Sequence, residues 1–249
     1  MGVFHFKRFD VLNERSAMKV NTDGVLLGAV TEVFAHDRNV LDIGTGTGTV
    51  ALMIAQRLSE LNDDFIVHAI DIDEPSSQEA AENFLASPWP QHFKSFNAGL
   101  KSFSEDSGIY DLVVSNPPYY DNSLKAPSAR RNSARHVGDP EDGSGSEILS
   151  YREILEYSMT HLGPGGRISL VLPADQENAL LRHARMCGFL PWKLLRVKTV
   201  PRKDPSRIIV RFMRRGDFDG MPEEDTLTLM NEEGKRASQQ TSLLADYLL

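Results

Sequence analysis

Cysteine is almost absent from this sequence of 249 residues, in which Cys187 stands alone. A single cysteine excludes an internal disulfide framework and is typical of proteins from a reducing compartment. No apolar run approaches the roughly 20 residues that a membrane span requires. Residues 1–9 also lack the apolar core of a signal peptide. These absences predict a soluble, cytoplasmic protein that does not contact a membrane.

An excess of basic charge is missing as well. The formal net charge of -8 argues against a generally basic nucleic-acid binder, although it leaves room for a local basic surface. The seven histidines are too scattered to form a ligand set, so we expect no metal site. No internal repeat or low-complexity segment stands out, and 41% apolar residues are enough to bury one substantial core. We therefore expect a single compact domain that acts as a monomer.

The first chemical motif is a short strand followed by a glycine-rich loop and a helix. The apolar run at residues 39–43 predicts the strand, and the apolar spacing between Val50 and Leu61 predicts the helix. The loop Gly44-Thr45-Gly46-Thr47-Gly48 has Thr49 where a dinucleotide fingerprint needs its third glycine, and it lacks the lysine of a phosphate-binding loop. This order of elements predicts the opening unit of a doubly wound α/β fold, whose ligand lies over the turn.

The spacing Asp-x-Gly-x-Gly-x-Gly from Asp42 to Gly48 resembles the first motif of S-adenosylmethionine-dependent methyltransferases. Three close glycines allow the backbone to approach the methionine part of that cofactor without Cβ clashes. The next predicted strand, residues 65–70, ends at Asp71, where a carboxylate is placed to accept both ribose hydroxyls. Asp73 has two possible roles, ribose binding and helix capping, and we favour capping.

The second chemical motif is Ser115-Asn116-Pro117-Pro118-Tyr119-Tyr120, which follows the apolar strand 110–114. The prolines stiffen the turn and hold Asn116 in extended geometry. The Asn116 side-chain oxygen and the Pro117 carbonyl then offer two acceptors beside the Tyr119 ring, which suits a planar group with an exocyclic NH2, such as adenine. The alternative is a Pro-Pro loop that merely ends a strand. We favour the binding site, because this strand is expected to end beside the glycine loop at the switch point of the sheet.

The rest of the chain completes the predicted fold. Residues 148–162 predict a helix that is stopped by Gly163-Pro164-Gly165-Gly166, and residues 167–172 predict a strand. A helix at 176–187 and a closing hairpin follow. The expected architecture is α/β, with a doubly wound, mostly parallel sheet of seven strands and a C-terminal antiparallel hairpin.

The two ends of the chain are expected to cover this domain. Residues 1–38 form an N-terminal arm and a helix that begins at Thr22 or Asp23 and runs to about Phe34, with capping as the simplest role for either residue. Residues 39–249 form the main domain, and the last apolar residues, 243–249, are expected to pack as a terminal helix on the core.

Basic charge is concentrated in two places. Between Lys193 and Arg215 there are nine basic residues against one acid, Asp204, which indicates a surface for nucleic-acid phosphates. The alternative is a solvated hairpin. The long polar segment 120–146 carries a second group, and long loops in compact domains are often functional. We expect RNA contacts from Arg130, Arg131, Arg135, Lys198, Arg202, Lys203 and Arg207.

With these motifs in place, the chain resembles the bacterial tRNA1(Val) (adenine(37)-N6)-methyltransferases over nearly its full length. The residues that carry the resemblance are Phe4, Phe6, Lys7 and Phe9, the segment 15–29 with Ala17-Met18-Lys19 and Thr22-Asp23-Gly24, Leu41–Gly48, Asn83, Ser87-Pro88-Trp89, and Tyr110–Tyr120. The resemblance implies methyl transfer from S-adenosyl-L-methionine to N6 of an adenosine in tRNA. It also implies that Lys19, Thr22 and Asp23 close over the cofactor.

The resemblance assigns the catalytic role to Asn116, Pro117 and Tyr119, which hold the target base. Relatives usually carry an acid after the third strand, predicted here at residues 93–96, to bind the cofactor adenine. This chain has Gly99 at that position, so Asn97 or the Ala98 backbone is expected to bind the adenine instead. The complete set of expected cofactor residues is Lys19, Thr22, Asp23, Asp42, Gly44, Gly46, Gly48, Asp71, Asn97, Ala98 and Asn116.

Three alternatives remain beside this reading of the sequence. A glutamine side-chain amide of a protein is also planar with an NH2, but enzymes of that kind carry a sizeable helical domain before the glycine loop, and only 38 residues precede Asn39 here. The second alternative is methylation of another RNA base. A DNA adenine methyltransferase is disfavoured, because it would require an additional target-recognition domain and none fits this sequence. The third is a catalytically inactive module that binds RNA or nucleotides, which a titration with S-adenosylmethionine would separate from an enzyme.

Overall fold

A computed structural model describes residues 2–105, 108–119 and 149–248 of the chain. The N-terminal arm begins with two short antiparallel strands, β1 (Val3–His5) and β2 (Asp10–Leu12). The apolar side chains of Phe6, Phe9 and Val11 are buried against the main domain. Hydrophobic contacts of its own side chains therefore hold the arm against the main domain.

Helix α1 (Thr22–Val30) follows the arm, and its N-terminal capping residue differs from the sequence prediction. Asn21, rather than Thr22 or Asp23, caps the helix, because the Asn21 side chain accepts the N–H of Gly24 at 2.9 Å. The helix also ends at Val30, earlier than expected, where Thr31 turns to extended geometry and its hydroxyl donates to the Leu27 carbonyl. The cap at Asn21 leaves the Asp23 carboxylate available for contacts with other elements.

The main domain alternates strands and helices along the chain. Its elements are β3 (Asn39–Ile43), α2 (Thr49–Leu58), β4 (Ile66–Asp71), α3 (Glu74–Ala86), β5 (Phe93–Asn97), β6 (Tyr110–Ser115), α4 (Tyr151–His161), β7 (Leu162–Pro173), α5 (Glu177–Met186), β8 (Phe189–Lys198), β9 (Arg207–Arg214), β10 (Glu223–Thr228) and α6 (Ser238–Leu243).

Within the described residues, the main sheet has eight strands in the order β10-β8-β9-β7-β6-β3-β4-β5. Only β9 runs antiparallel to its neighbours, so the mostly parallel sheet and the closing hairpin are confirmed. The predicted count of seven strands was wrong by one, because β10 adds a parallel edge strand beside β8. That strand is hard to predict: it begins Glu-Glu-Asp, and Leu227 is its one buried residue.

Helices cover both faces of the sheet, as the doubly wound arrangement requires. One apolar cluster joins Leu27 of α1 and Leu52 of α2 to Val40 on the first face. The other cluster joins Leu155 of α4 to Leu41 on the second face. Alternate residues of the central strands therefore face opposite cores, which is why these strands are apolar throughout.

Two further elements differ from the sequence prediction. The segment Gly163-Pro164-Gly165-Gly166 does not separate a helix from a strand, because β7 begins at Leu162 and runs through it. The pairing with β6 shifts register there, so the glycines form an irregularity within the strand. The terminal helix α6 is short, but Leu244 and Tyr247 beyond it are buried, which confirms that the tail packs on the core. No helix in the described part of the chain has the length and apolar composition to cross a bilayer.

Candidate active site

The two chemical motifs meet at the carboxyl ends of neighbouring strands. Strands β3 and β6 pair in parallel, with Ile43 opposite Ser115, so the glycine loop and Asn116 leave the sheet side by side. The Ser115 hydroxyl donates to the Ile43 carbonyl at 2.6 Å and ties the two strand ends together. The expected convergence is thus confirmed. The open cleft at this point is lined by Met18, Lys19, Val20, Asn21, Gly24, Asp42, Gly44, Thr45, Gly46, Thr47, Thr49, Val50 and Asn116.

The glycine loop adopts a backbone that side chains disfavour. Gly44, Gly46 and Gly48 have φ angles of 70°, 58° and 80°, in the left-handed region. At Gly48 space is also restricting, because a Cβ there would lie 2.5 Å from the Phe84 ring. The loop therefore presents bare backbone to the cleft while its far side packs against α3.

Two carboxylates support this loop, the buried one of Asp42 and the half-buried one of Asp71. Asp42 is only 1% exposed and accepts the Thr45 hydroxyl at 2.7 Å. Burial, with a contribution from the nearby charge of Asp71, raises the pKa of Asp42 to about 7. Asp71 accepts the N–H groups of Gly46 at 2.8 Å and Asp73 at 2.9 Å, while burial raises its pKa. Asp71 thus already fixes the loop, and ribose binding by this residue stays a prediction.

Helix capping by Asp73 is confirmed, since its side chain accepts the Ser76 N–H at 3.0 Å at the start of α3. Asn97 donates its side-chain NH2 to the carbonyls of Asp71 and Ile72, and the Ala98 N–H donates to the Asp71 carbonyl. The Ala98 N–H is therefore engaged. Within the described residues, the Asn97 side-chain oxygen accepts no hydrogen bond, and it is the kind of acceptor that an adenine amino group needs.

The segment that leads into α1 lies over the cleft, and sequence reasoning missed what holds it there. Glu79 of α3 accepts three successive backbone N–H groups, those of Glu14 at 2.6 Å, Arg15 at 3.0 Å and Ser16 at 2.6 Å. Burial opposes the charged carboxylate, but the N–H donors outweigh it and lower the pKa of Glu79. A lone glutamate in an amphipathic helix gives no signal of this role, because its partners lie more than 60 residues away in sequence.

Asn83, which lies one helical turn after Glu79, makes a second anchor for the arm. Its amide bonds both the N–H and the carbonyl of Leu12, and it also donates to the Thr47 carbonyl at 2.9 Å. One side chain therefore links the arm to the glycine loop. Sequence reasoning placed Asn83 in the family resemblance but assigned it no role.

The three residues expected to close over the cofactor are placed differently from one another. Lys19 lines the cleft and donates to the Glu14 carbonyl. Thr22 is exposed in the first turn of α1. Asp23 is not among the residues that line the cleft, and it accepts the Arg207 Nε at 2.8 Å and the Tyr119 hydroxyl at 3.1 Å. Cofactor contacts by Thr22 and Asp23 therefore remain predictions.

Asn116 is 8% exposed at the floor of the site, and Pro117 beside it is buried. The Asn116 side-chain oxygen accepts the Tyr119 hydroxyl at 2.8 Å, and its NH2 faces the Met18 sulfur at 3.5 Å. The guanidinium of Arg207 lies 5.1 Å from the centre of the Tyr119 ring. The motif is therefore linked, through Tyr119, to an ion pair between α1 and β9.

The basic stretch between Lys193 and Arg215 does not form one surface. Six of its nine basic residues are engaged with carboxylates or backbone carbonyls, and the expectation that the whole stretch faces phosphates was too broad. Lys193, Arg196, Arg207 and Arg211 pair with carboxylates. Arg214 donates to the carbonyls of Ser158 and Leu162, and Lys198 donates to the Pro201 carbonyl at 3.5 Å.

Lys198, Arg202 and Lys203 form no ion pair with any other described residue and belong to or adjoin the turn 199–206 between β8 and β9. Arg207 at the end of this turn pairs with Pro173 at the carboxyl end of β7, so the turn lies at the same edge of the sheet as Asn116. The predicted RNA contacts Arg130, Arg131 and Arg135 lie outside the described residues. No group of three possible metal ligands occurs in the described ranges.

Comparison with known proteins agrees with these features. The family model "Methyltransferase small domain" matches residues 16–132. A tRNA1(Val) (adenine(37)-N6)-methyltransferase of Parabacteroides distasonis is 37% identical over 99% of this chain and 97% of its own length. Proteins of the same name from Bacteroides fragilis and Trichodesmium erythraeum are 41% and 33% identical, over 84% and 99% of this chain and 83% and 97% of their own lengths.

Solved structures share the fold at low sequence identity. The crystal structure of a predicted O-methyltransferase from Agrobacterium tumefaciens superposes with a TM-score of 0.61 at 14% identity, covering 90% of this chain and 96% of that one. A methyltransferase from Pyrococcus furiosus gives a TM-score of 0.51 at 23% identity, covering 75% and 79% of the two chains. These likenesses show a Rossmann-like methyltransferase fold.

Proposed function

The chain belongs to the family of tRNA1(Val) (adenine(37)-N6)-methyltransferases, and from that membership we propose that it methylates N6 of adenosine 37 in tRNA1(Val). The methyl donor is S-adenosyl-L-methionine, as in the methyltransferases that share its domain and fold. The observation that carries the proposal is the pairing of Ile43 with Ser115, which places the glycine loop beside Asn116. A methyl donor over the loop and an amine held at Asn116 would meet at these two strand ends.

The cleft fits the proposed cofactor. Gly44, Gly46 and Gly48 hold left-handed φ angles, so the loop presents backbone to the cleft in a conformation that side chains disfavour. Lys19 and Asn116 line the cleft, Asp71 supports the loop, and Asn97 supplies an acceptor at the carboxyl end of β5. When bound, S-adenosylmethionine supplies an electrophilic methyl group on a sulfonium ion.

The task of the protein is then to present the target amine correctly. The lone pair of an adenine amine is delocalised into the ring and is a poor nucleophile. Hydrogen bonds from that amine to the Asn116 side-chain oxygen and the Pro117 carbonyl favour a more tetrahedral nitrogen, whose lone pair points at the methyl group. Placement and electrostatics carry most of the rate in such a site. Stacking on Tyr119 offsets the few kcal/mol needed to turn a base out of its stack.

Three basic residues that form no ion pair with any described residue supply the most direct support for RNA contact. Lys198, Arg202 and Lys203 stand at the edge of the sheet that carries Asn116, and a negatively charged chain needs such a local patch to hold phosphates. An anticodon loop is an accessible target, because its bases are unpaired. We also propose that the protein acts as a monomer in the cytoplasm, where its tRNA substrate is found, and that residues 1–38 and 39–249 act as one domain.

The proposal is tested with Asn116→Ala and an unmodified transcript of tRNA1(Val). Without the acceptor oxygen the amine loses its orientation, so methyl transfer should fall by at least about 100-fold. Isothermal titration should show S-adenosylmethionine affinity nearly unchanged. The matched variant Asn97→Ala should instead weaken cofactor binding and recover turnover at saturating cofactor.

Normal turnover by Asn116→Ala would refute the role of that residue. A wild-type protein without affinity for S-adenosylmethionine would refute the enzyme and leave the inactive binding module. Mass spectrometry of tRNA nucleosides from a deletion strain identifies the substrate: one N6-methyladenosine should disappear from tRNA1(Val), and loss from another RNA would redirect the proposal.

A further inference from the structure

Three contacts connect Arg207 to Asn116. The Arg207 Nε donates to Asp23 at 2.8 Å, the Tyr119 hydroxyl lies 3.1 Å from the same Asp23 oxygen, and that hydroxyl lies 2.8 Å from the Asn116 side-chain oxygen. These residues come from β9, α1 and the loop after β6, and Arg207 and Asp23 are 184 positions apart. The network therefore exists only in the folded protein.

Asn116 depends on Tyr119 for its orientation. Within the described residues its side chain makes one other hydrogen bond, from its NH2 to the Met18 sulfur at 3.5 Å, and a thioether is a weak acceptor. The Tyr119 hydroxyl is thus the one strong hydrogen bond that the Asn116 side chain makes within the described residues. An amide oxygen has two lone pairs, so this bond leaves a second one for the target amine.

The hydroxyl of Tyr119 carries one proton, and two acceptors compete for it. An unpaired carboxylate is a stronger acceptor than an amide oxygen. The guanidinium of Arg207 neutralises the Asp23 carboxylate and makes it a weaker hydrogen-bond acceptor. The Tyr119 hydroxyl therefore favours donation to the Asn116 side-chain oxygen. Burial, and next the charge of Asp23, raise the pKa of Tyr119, so the hydroxyl remains a donor.

Arg207 is also poorly placed to hold a phosphate. Its side chain is 34% exposed, its Nε is bonded to Asp23, its Nη1 donates to the Ser206 carbonyl at 2.8 Å, and its guanidinium covers the Tyr119 ring. Arg202, five positions earlier in the same turn, is exposed and forms no ion pair with described residues. The two arginines therefore differ in what they can contact.

We propose that Arg207 is a positioning residue for the methyl-transfer step, which keeps the Tyr119 hydroxyl on Asn116 by neutralising Asp23 and so directs the oxygen that receives the target amine. This inference rests on the proposed function. It replaces the phosphate contact expected for Arg207 from the sequence.

The first test separates kcat from the KM for tRNA. Arg207→Gln should lower kcat at saturating tRNA by about tenfold and leave the KM for tRNA within about twofold, because the amine binds but is misdirected. Tyr119→Phe should lower kcat similarly, and combining the two should cost little more than either alone. The matched variant Arg202→Gln should raise the KM for tRNA, reduce its salt dependence by about one phosphate contact and retain kcat.

Rescue by a second substitution distinguishes positioning from general damage to the structure. Asp23→Asn in the Arg207→Gln background removes the competing charge, so it should recover part of the lost kcat. A raised KM with unchanged kcat in Arg207→Gln, or no recovery in the double variant, would overturn the inference. The circular dichroism spectrum and the urea-unfolding midpoint of each variant check that the fold is intact.

A second measurement does not depend on activity. In the 15N-labelled protein, the side-chain NH2 signals of Asn116 are identified by their loss in Asn116→Ala. Arg207→Gln and Tyr119→Phe should shift these Asn116 signals in the same direction. Adding Asp23→Asn to Arg207→Gln should return the signals towards the wild-type position. Arg202→Gln should leave the signals in place. Unmoved signals in Arg207→Gln would refute the positioning role, whereas a wild-type protein that does not methylate tRNA would refute the proposed function itself.

Discussion

The two halves of the sheet use charge in opposite ways. In the half formed by β3, β4, β5 and β6, the buried carboxylate of Asp42 and the half-buried carboxylate of Asp71 accept hydrogen bonds from hydroxyl and N–H groups of the glycine loop. In the half formed by β7, β8, β9 and β10, Lys193 and Arg196 extend across strand edges to glutamates that are partly in solvent. In the first half, charged side chains hold the glycine loop in place. In the second half, charged side chains pair with and neutralise one another.

This difference explains where sequence motifs were informative. The partners of Asp42 and Asp71 lie within 25 positions along the chain, so residue type and spacing describe the site directly. The partners of the basic residues are separated by as many as 184 positions, so a cluster of arginines in the sequence does not define a surface. A motif whose partners are close in sequence can be recognised before the fold is known. A cluster of charges in the sequence cannot, because folding gives its members partners from distant parts of the chain.

The largest loss of stability in the glycine-loop half of the sheet is expected when Gly48 is replaced by alanine. Gly48→Ala places a Cβ 2.5 Å from the Phe84 ring, which is fixed by stacking on Phe93 at 4.2 Å, and it also forces alanine into the left-handed region. Left-handed strain and overpacking together should lower the free energy of unfolding by about 2–5 kcal/mol. Urea unfolding measures this, and S-adenosylmethionine binding should weaken with it.

Gly234 offers a matched control for that variant. Its φ angle of 77° is similar, but a Cβ there would meet no atom within 4 Å. Gly234→Ala should therefore cost only the backbone strain, about 1–2 kcal/mol. Equal losses at the two positions would mean that the contact with Phe84 does not matter, and that the loop is not built against α3 as described.

Much of the first half could be read from the sequence. The strand at Asn39–Ile43, the glycine loop and the strand ending at Ser115 are marked by apolar runs with abrupt polar ends, and their meeting follows from the rule that ligands bind at the switch point of the sheet. The position of Asn116 was predictable for the same reason, because the prolines after it fix the turn locally.

The rest depended on contacts between distant residues. Strand β10 pairs with β8, where Glu223 and Glu224 also form ion pairs with Lys193 and Arg196, although its own residues disfavour a strand. Glu79 holds the arm through backbone N–H groups, which every residue has, so no residue type marks them. Tertiary partners, rather than local propensity, decide such elements.

A second prediction concerns the charge enclosed in the first half. Burial raises the pKa of Asp42 to about 7, above its unfolded value, so between about pH 4 and pH 7 the folded cofactor-free protein holds one proton more than the unfolded chain. Stability should therefore fall as pH rises through this window, by at most about 1.4 kcal/mol per pH unit from this group. Asn at this position still accepts the Thr45 hydroxyl but does not titrate.

The test is the pH dependence of the difference between wild type and Asp42→Asn in urea unfolding. The variant should gain relative stability from pH 4 to pH 7, and the difference should level off above about pH 7, where Asp42 is ionised in both states. A difference that is flat with pH would show that Asp42 is ionised throughout, and the contrast between enclosed and exposed carboxylates would fail at its central residue.

The smallest effect is expected on the other side of the comparison, at the surface pair between Arg196 and Glu224. Their nitrogen and oxygen lie 2.7 Å apart, but the Glu224 side chain is 51% exposed, so water and salt screen the attraction. Glu224→Gln should lower the free energy of unfolding by no more than about 1 kcal/mol.

Glu177 binds the same guanidinium through two nitrogens and is only 20% exposed, so Glu177→Gln should lower the free energy of unfolding somewhat more. Both losses should shrink in urea unfolding at about 1 M salt, where the screening length is about 3 Å. A cost for Glu224→Gln that matches Gly48→Ala would mean that the second half of the sheet depends on its charges as strongly as the first depends on its loop.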